Sequence, residues 1–263
     1  MSSQYVLKYD NLEIERLNLQ ALSLYDTRLD PAIQTATSIL DLGCGPGTLV
    51  ERIKRINPKC HYLGIDGDAS AIARAMSNHG STPGVSFTET NISREQLKNL
   101  GVKQFDLIIC RLVLWSLPGV NEDFVRELRS LLRPLGILYA FEPDDKNLTF
   151  EPEKPALESI VGAWQKMVLS RGQNPFIGRK LYSYFVAAGF ADVRSFPMAF
   201  TASGSDASSY LALMKNLKGI FSNQTDAGVL TSSYWNEGLK QFDDVQPNDF
   251  VAEHHYSVFG RAP

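Results

Sequence analysis

The chain has 263 residues, of which 44% are apolar, and it carries a net charge of −3 at pH 7. This composition is typical of a globular protein with a buried core and argues against a disordered chain. Basic and acidic residues are interspersed, so the charge pattern does not indicate a general surface for nucleic acid or for an anionic membrane. We therefore expect a small-molecule partner, no nucleic acid, no membrane, and a monomer or a homodimer.

The cysteines and the apolar runs bear on the compartment. Cys44, Cys60 and Cys110 form no CxxC pair and lie within apolar segments, which is more typical of a reducing compartment than of a disulfide framework. The first residues contain no apolar signal-peptide core. The longest apolar run, residues 105–117, is interrupted by Arg111 and is too short to span a bilayer. We expect a cytoplasmic protein.

The first predicted element is an amphipathic helix at residues 11–25, followed by a short helical stretch from Asp30. From residue 37 onward, apolar runs alternate with amphipathic stretches. The predicted strands are residues 38–43, 60–66, 85–91, 105–114 and 136–144, and the predicted helices between them are residues 47–57, 68–80, 93–101 and 120–134. This alternation predicts a parallel sheet with helices on both faces, because parallel neighbours require crossovers of about a dozen residues or more.

After residue 145 the spacing of the elements becomes less regular. Helices are predicted at residues 153–172, 178–190, 206–221 and 232–244, and strands at residues 191–201 and 250–262. We interpret the late helices as insertions over one sheet, so the chain forms a single domain, 1–263. It comprises an N-terminal helical arm (1–35), a core (36–145), and a helical cover with the last strands (146–263). The fold class is α/β, with a doubly wound, mostly parallel, seven-stranded sheet under a helical cover.

Three glycines mark the turn from the first strand to the first helix. Gly43, Gly45 and Gly47 lie at the edge where doubly wound sheets bind ligands, although a turn without a ligand is the plain alternative. About twenty residues further on, at the end of the second strand, Asp66 occupies the position from which an acid binds ribose hydroxyls. The glycines and the acid together favour a nucleoside cofactor.

The spacing of these glycines distinguishes between nucleoside cofactors. A dinucleotide site has the spacing G-x-G-x-x-G, whereas this chain has G-C-G-P-G, preceded by Asp41. A carboxylate at this point repels a pyrophosphate and suits a ligand that carries an ammonium and a sulfonium, such as S-adenosylmethionine. An NAD-dependent dehydrogenase is therefore disfavoured.

Residues 40–47, LDLGCGPG, resemble the first motif of class I S-adenosylmethionine-dependent methyltransferases of the small-molecule type. Residues 64–75, 105–118 and 127–144 resemble three further motifs of that family, and the resemblance covers about residues 12–145. The resemblance implies a Rossmann-like fold, S-adenosyl-L-methionine as the cofactor, and methyl transfer to a small organic acceptor at oxygen, nitrogen or carbon.

The resemblance also assigns cofactor contacts. It implies that the first motif holds the methionyl part, that the acid after the second strand binds the ribose, and that later positions contact the adenosine or face cofactor and substrate. The first-motif residues are Asp41, Gly43, Gly45 and Gly47, and the ribose acid is Asp66. The later positions, which contact the adenosine or face cofactor and substrate, are Gly67, Asn91, Ile92, Arg111 and Leu112. Leu135 stands where the family usually has glycine, which we expect to affect only local stability.

Methyl transfer from a sulfonium depends mainly on alignment and water exclusion, and a base is needed only where the nucleophile must lose a proton. We predict Glu142 and Arg111 as catalytic residues. Glu142 is the first choice for a substrate contact, and Arg111, if buried, needs Glu142 or a substrate anion as a partner. Further substrate contacts are predicted at Tyr5, Tyr9, Arg16, Gln20, Trp115, Asp144 and Trp164, and an apolar pocket is predicted from Trp164, Tyr182, Tyr184, Phe221 and Trp235.

The histidines do not predict a metal site. His254 and His255 are adjacent on a strand and point to opposite faces, so we expect one to be buried and the other wet, with no metal bound. Two alternatives to methyl transfer stay open: an enzyme that binds S-adenosylmethionine and catalyses cyclisation or rearrangement, and a non-catalytic binding module. The intact glycine run and Asp66 weigh against the module.

Overall fold

The computed structural model describes residues 24–100, 104–206, 214–215, 217–218, 232–244 and 246–263. The helix predicted at residues 11–25 lies outside these ranges except for its last two residues, and most of the helix predicted at residues 206–221 lies outside them as well. Among the helices that are described, none has the length and apolar character needed to cross a membrane.

The strands and helices alternate along the chain as the apolar pattern predicts. The strands are β1 (Ser38–Leu42), β2 (His61–Asp66), β3 (Val85–Glu89), β4 (Phe105–Arg111), β5 (Leu132–Pro143), β6 (Thr149–Glu151), β7 (Ala191–Ser203) and β8 (Phe250–Arg261). The helices are α1 (Asp30–Thr35), α2 (Val50–Ile56), α3 (Ala69–His79), α4 (Arg94–Asn99), α5 (Glu122–Leu131), α6 (Pro155–Ser170), α7 (Gly178–Ala187) and α8 (Ser232–Gln241). Polar residues cap several of these helices; Asp68, for example, accepts hydrogen bonds from the backbone of Ser70 and Ala71 at the start of α3.

In the described ranges, eight strands form one sheet in the order β3-β2-β1-β4-β5-β8-β6, and β7 pairs with β8. β8 is antiparallel to β5, β6 and β7, so the other strands all run in one direction. The predicted doubly wound, mostly parallel α/β sheet is thus confirmed, with one strand more than the predicted seven. The additional strand is β6, whose three residues are too few for an alternating pattern to reveal.

The two faces of the sheet belong to two separate cores. On one face, Ile39 of β1 and Leu107 and Ile109 of β4 pack with buried residues of α1 and α2. On the other face, the intervening residues of these strands pack with α5, α6 and α7. Side chains alternate along a strand, so Asp41 and Arg111 continue the first of these faces. Two charged groups are thereby placed on the same face at the carboxyl ends of neighbouring strands.

Candidate functional site

The glycine run forms the turn from β1 to α2. Gly43, Gly45 and Gly47 have φ values of +72°, +53° and +82°, which side-chain-bearing residues rarely adopt. A Cβ on Gly43 would lie 2.3 Å from Val113 Cγ2, and one on Gly47 would lie 2.9 Å from His79 Cδ2. Backbone conformation and packing therefore require glycine at these two positions whether or not a ligand is bound.

Asp66, at the end of β2, holds this turn in place. Its side chain is 8% exposed; Oδ2 accepts a hydrogen bond from the Gly45 N–H at 2.9 Å, and Oδ1 accepts one from the Asp68 N–H at 2.9 Å. Burial raises the pKa of Asp66, while these backbone N–H groups act in the opposite direction. Each carboxylate oxygen still has a lone pair for a further donor such as a ribose hydroxyl.

The predicted adenosine contacts come together beside Asp66. The Thr90 N–H donates a hydrogen bond to the Asp66 carbonyl at 2.9 Å, so the segment after β3 lies next to the end of β2. A Cβ on Gly67 would lie 3.5 Å from Asn91 Oδ1, so these two residues are direct neighbours. Asn91 is exposed and Ile92 is buried, which places a polar and an apolar group in sequence at this edge.

Asp41 lies on the neighbouring strand and is 2% exposed. Its Oδ2 accepts a hydrogen bond from the Tyr62 hydroxyl at 2.7 Å. Burial raises the pKa of Asp41 to about 6, although the bond from Tyr62 and the charge of Arg111 favour the ionised form. Sequence reasoning missed Tyr62, because the contact depends on the parallel register of β1 and β2, in which Asp41 pairs with Gly64, two residues after Tyr62.

The surroundings of Glu142 differ from those expected of a side chain that contacts the substrate. It is fully buried, and its Oε1 accepts hydrogen bonds from the Val113 and Leu114 N–H groups at 3.0 and 2.8 Å. Its Oε2 accepts one from the Trp115 N–H at 3.2 Å. Burial raises the pKa of Glu142 to about 8. Glu142 thus anchors the turn that follows β4, and a direct catalytic role for it stays a prediction.

Arg111 and Leu112 occupy the end of β4. Leu112 has a φ of +57°, which is strained for a side-chain-bearing residue; its N–H donates to Phe141 and its carbonyl accepts from the Trp115 indole. Arg111 Nη1 is buried and has no hydrogen-bond partner in the described part of the chain. Burial lowers the pKa of Arg111, and the nearby acids, Asp41 foremost, oppose this effect.

The remaining predicted contacts divide into two groups. Asp144 is fully buried and forms an ion pair with Arg179 at 2.8 Å, while Trp115 and Trp164 pack at 5.6 Å between ring centroids in the core of the other face. These three residues are buried among protein groups, and their substrate contacts stay predictions. Tyr182, expected to line the apolar pocket, is 50% exposed. Outside the described residues lie Tyr5, Tyr9, Arg16, Gln20 and Phe221.

A histidine lies on the same face as Arg111. His255 of β8 is 1% exposed, and its ring stacks on Phe141 at 4.8 Å with an interplanar angle of 4°. Its Nε2 lies 3.4 Å from Glu253 Oε1. Burial and the charge of Arg111 lower the pKa of His255 to about 3. His255 is thus the buried member of the pair, as expected, whereas His254 is half-buried and not fully exposed.

The cysteines and metal-ligating residues add no site. Cys44, Cys60 and Cys110 are buried and form no disulfide. Across the described ranges, no group of three or more His, Cys, Asp or Glu side chains is arranged to hold a metal ion.

The residues at the carboxyl edge fit S-adenosylmethionine. Asp66 retains acceptor capacity for ribose hydroxyls, Asn91 is exposed beside it, and Asp41 places a negative group where a cationic methionyl end would lie. Asp41, beside the glycine turn, would instead oppose the pyrophosphate of a dinucleotide.

Comparison with known proteins agrees with this geometry. A family model described as a methyltransferase domain matches residues 33–189. Curated relatives include the trans-aconitate 2-methyltransferase of Escherichia coli strain K12 / DH10B, which is 31% identical over 150 residues, or 57% of this chain and 54% of the relative. The chain thus spans about half the length of the curated relatives it matches.

Solved structures show the same fold at low sequence identity. The YcgJ protein of Bacillus subtilis has a TM-score of 0.52 and 16% identity, covering 86% of this chain and 91% of its own. A SAM-dependent methyltransferase of Archaeoglobus fulgidus has a TM-score of 0.51 and 16% identity, covering 95% and 94%. A Haemonchus contortus phosphoethanolamine N-methyltransferase has a TM-score of 0.56 and 13% identity, covering 94% and 52%.

Proposed function

The chain belongs to the methyltransferase domain family, and on this basis we propose that it transfers the methyl group of S-adenosylmethionine to a small organic acceptor. The observation that carries the proposal is the bond between the Asp66 carboxylate and the Gly45 N–H. It joins the two predicted cofactor-binding elements, the glycine turn and the ribose acid, at one edge of the sheet. That edge is where doubly wound sheets bind their ligands.

In this proposal each described residue at the edge has a limited task. Asp66 binds the ribose, Asn91 and Ile92 contact the adenine, and Asp41 favours the cationic end of the cofactor. The bound cofactor would supply an activated methyl group. Glu142 positions the residues after β4, because it binds the backbone of Val113 to Trp115 and so fixes the exit of the strand.

The buried acids favour alignment over proton removal as the basis of the reaction. In the described part of the chain, the carboxylates of Asp41 and Glu142 both accept hydrogen bonds from protein groups. Neither is therefore presented as a free base to an acceptor. Holding a nucleophile in line with an activated methyl group can by itself remove much of the barrier.

The first acceptor to assay is trans-aconitate, because the curated relatives are named for it. The same proposal includes oxygen, nitrogen or carbon as the acceptor atom, and a division of the chain at residues 35 and 145. It also includes a cytoplasmic location, a monomeric or homodimeric state, and the absence of nucleic-acid and membrane partners. The buried, unpaired cysteines support the location.

Calorimetry followed by a transfer assay tests this function. We expect the protein to bind S-adenosylmethionine and S-adenosylhomocysteine and not NAD. We then expect labelled methyl from the cofactor to appear on trans-aconitate or on a compound of a cell extract. Absence of cofactor binding would refute the proposal, whereas tight binding without any labelled product would favour the cyclisation or rearrangement alternative.

A further inference from the structure

Arg111 is half-buried, and its Nη1 atom is buried without a hydrogen-bond partner in the described part of the chain. It is the last residue of β4, and among the described residues its guanidinium makes no ion pair and its Nη1 atom has no hydrogen bond. An arginine side chain does not lose its proton in proteins, so the charge persists despite burial. An uncompensated buried charge is strongly unfavourable, and such groups are normally paired.

The acids around Arg111 are already bound to other groups. Asp41 accepts a hydrogen bond from Tyr62, and Glu142 accepts three from the backbone that follows β4. Within the described ranges, neither acid forms a hydrogen bond with the buried Nη1 atom. Asp41 and Glu142 therefore attract Arg111 only at longer range, and a direct ion-pair partner for the guanidinium is not supplied by the described residues.

His255 is a second unsatisfied group on the same face. Its Nδ1 is buried and has no hydrogen-bond partner among the described residues. Its ring stacks on Phe141, which is the direct neighbour of Arg111 in the pairing of β4 with β5. Phe200 of β7 packs edge-on against the same histidine at 5.4 Å. Two unpaired polar groups thus lie beside two aromatic rings.

We propose that Arg111 and His255 form a recognition site for a carboxylate of the acceptor substrate. The planar guanidinium matches a carboxylate with two parallel hydrogen bonds, and the neutral imidazole donates one more in the tautomer that carries its proton on Nδ1. The rings of Phe141 and Phe200 suit an apolar or unsaturated carbon skeleton behind that carboxylate. This inference rests on the proposed function and narrows its substrate class to organic acids.

The position of His255 distinguishes the acceptor from the cofactor as the source of the carboxylate. In the order β2-β1-β4-β5-β8, the strand of His255 is four places from that of Asp66, which is about 19 Å at the usual spacing of strands. It is three places from the glycine turn. A group that contacts both Arg111 and His255 therefore lies beyond the methionyl end, on the side of the acceptor.

The test is calorimetry on the protein saturated with S-adenosylhomocysteine. The probes are trans-aconitate, succinate, benzoate and cinnamate, each compared with its neutral amide. We expect at least one acid to bind ten-fold or more tightly than its amide, and Arg111→Gln to remove that preference. Arg171→Gln, at an exposed arginine after α6, should retain it. A wild-type protein that prefers no acid over its amide would overturn the inference.

Two further measurements separate the alternatives. Arg111→Gln should bind S-adenosylhomocysteine within two-fold of wild type; a loss of ten-fold or more would assign the guanidinium to the cofactor's carboxylate and overturn the inference. The Tm of the ligand-free variant should fall only slightly, because no described residue forms an ion pair with Arg111 and only the longer-range attraction of Asp41 and Glu142 is lost, whereas a markedly lower Tm with unchanged acid binding would show a structural role. If the wild type binds no S-adenosylhomocysteine, the proposed function fails. Titration of the ligand-free protein with the acids and their amides then still tests whether Arg111 binds a carboxylate.

Discussion

Asp66 has a structural task, and the proposed function gives it a binding task as well. Its two oxygens accept hydrogen bonds from the Gly45 and Asp68 N–H groups, which fixes the carboxylate at the end of β2. An ionised carboxylate has about four acceptor positions, so two of them stay available. The residue that closes the glycine turn can therefore also bind a ribose.

We expect Asp66→Ala to weaken S-adenosylmethionine binding by roughly 1–3 kcal/mol, because one or two hydrogen bonds are lost. Calorimetry measures the affinity, and circular dichroism confirms that the variant is folded at the temperature used. Glu51→Ala, at an exposed acid of α2, is the control and should bind like the wild type. An unchanged affinity in Asp66→Ala would remove Asp66 from the cofactor site.

For Glu142, residue type and position in the sequence do not determine the hydrogen-bond partners. Its place at the end of β5 predicts a carboxylate facing a cleft, but the segment after β4 folds back and presents three N–H groups to it. No pattern in the sequence indicates this fold-back, because it depends on contacts between residues 27 to 29 positions apart. Glu142 lies at the predicted edge of the sheet, but it contacts three backbone N–H groups instead of facing a cleft.

At the scale of elements, the junction of α5 and β5 departs from the pattern. The apolar periodicity predicts a helix to Pro134, but α5 ends at Leu131 and β5 begins at Leu132. The residue before a proline avoids the helical region, which explains the earlier end. Leu135 follows with a φ of +65° and a side chain that is 65% exposed.

We expect Leu135→Gly to raise the free energy of unfolding by up to about 1 kcal/mol. The left-handed conformation costs a side-chain-bearing residue about 1–2 kcal/mol, and the greater freedom of glycine in the unfolded chain offsets part of the gain. Urea unfolding measures the difference. Leu135→Ala retains the strain and should show no gain, so equal stability of the two variants would contradict this account.

At the scale of the whole molecule, a buried ion pair joins the helical cover to the end of the chain. Lys154, at the start of α6, lies 3.0 Å from Asp249, which immediately precedes β8. The lysine side chain is 9% exposed and the aspartate side chain 1%. The Asp249 carbonyl also accepts from the Gly204 N–H at 2.7 Å, so this point connects α6, β7 and β8.

We expect Lys154→Met to lower the free energy of unfolding by about 3–5 kcal/mol, because Asp249 keeps a buried charge without its partner. The double variant Lys154→Met/Asp249→Leu should recover much of the loss, since it removes both charges. Urea unfolding of the two variants measures this. If the double variant were less stable than the single one, the pair would not be the source of the effect.

The buried titratable groups predict how stability depends on pH. Burial raises the pKa of Glu142 from 4.5 to about 8, so the folded state retains a proton that the unfolded state releases. This contribution is fully present below pH 4.5 and is lost as the pH rises through 8. His255, whose pKa falls from 6.5 to about 3, acts in the opposite direction below pH 6.5. The effect of Glu142 is therefore clearest between pH 6.5 and 8.

We expect the free energy of unfolding to fall by up to about 2 kcal/mol between pH 6.5 and 8. Glu142→Gln, which cannot titrate, should show a flatter profile even if its stability is lower at every pH. Glu122→Gln, at an exposed acid of α5, should retain the wild-type slope. A wild-type profile that rises with pH in this interval would exclude Glu142 as the dominant group.

The sequence by itself determined the main sheet, the glycine turn and the position of Asp66 at the end of β2. These depend on local patterns: alternating apolar runs, glycines at positive φ and an acid at the end of a strand. Only the tertiary structure decided which charged groups are already satisfied. Glu142 and Asp144 are bound to other protein groups, whereas Nη1 of Arg111 has no hydrogen-bond partner among the described residues. Hydrogen-bond partners come from distant segments, and it is the packing of those segments that determines which polar groups stay open to a ligand.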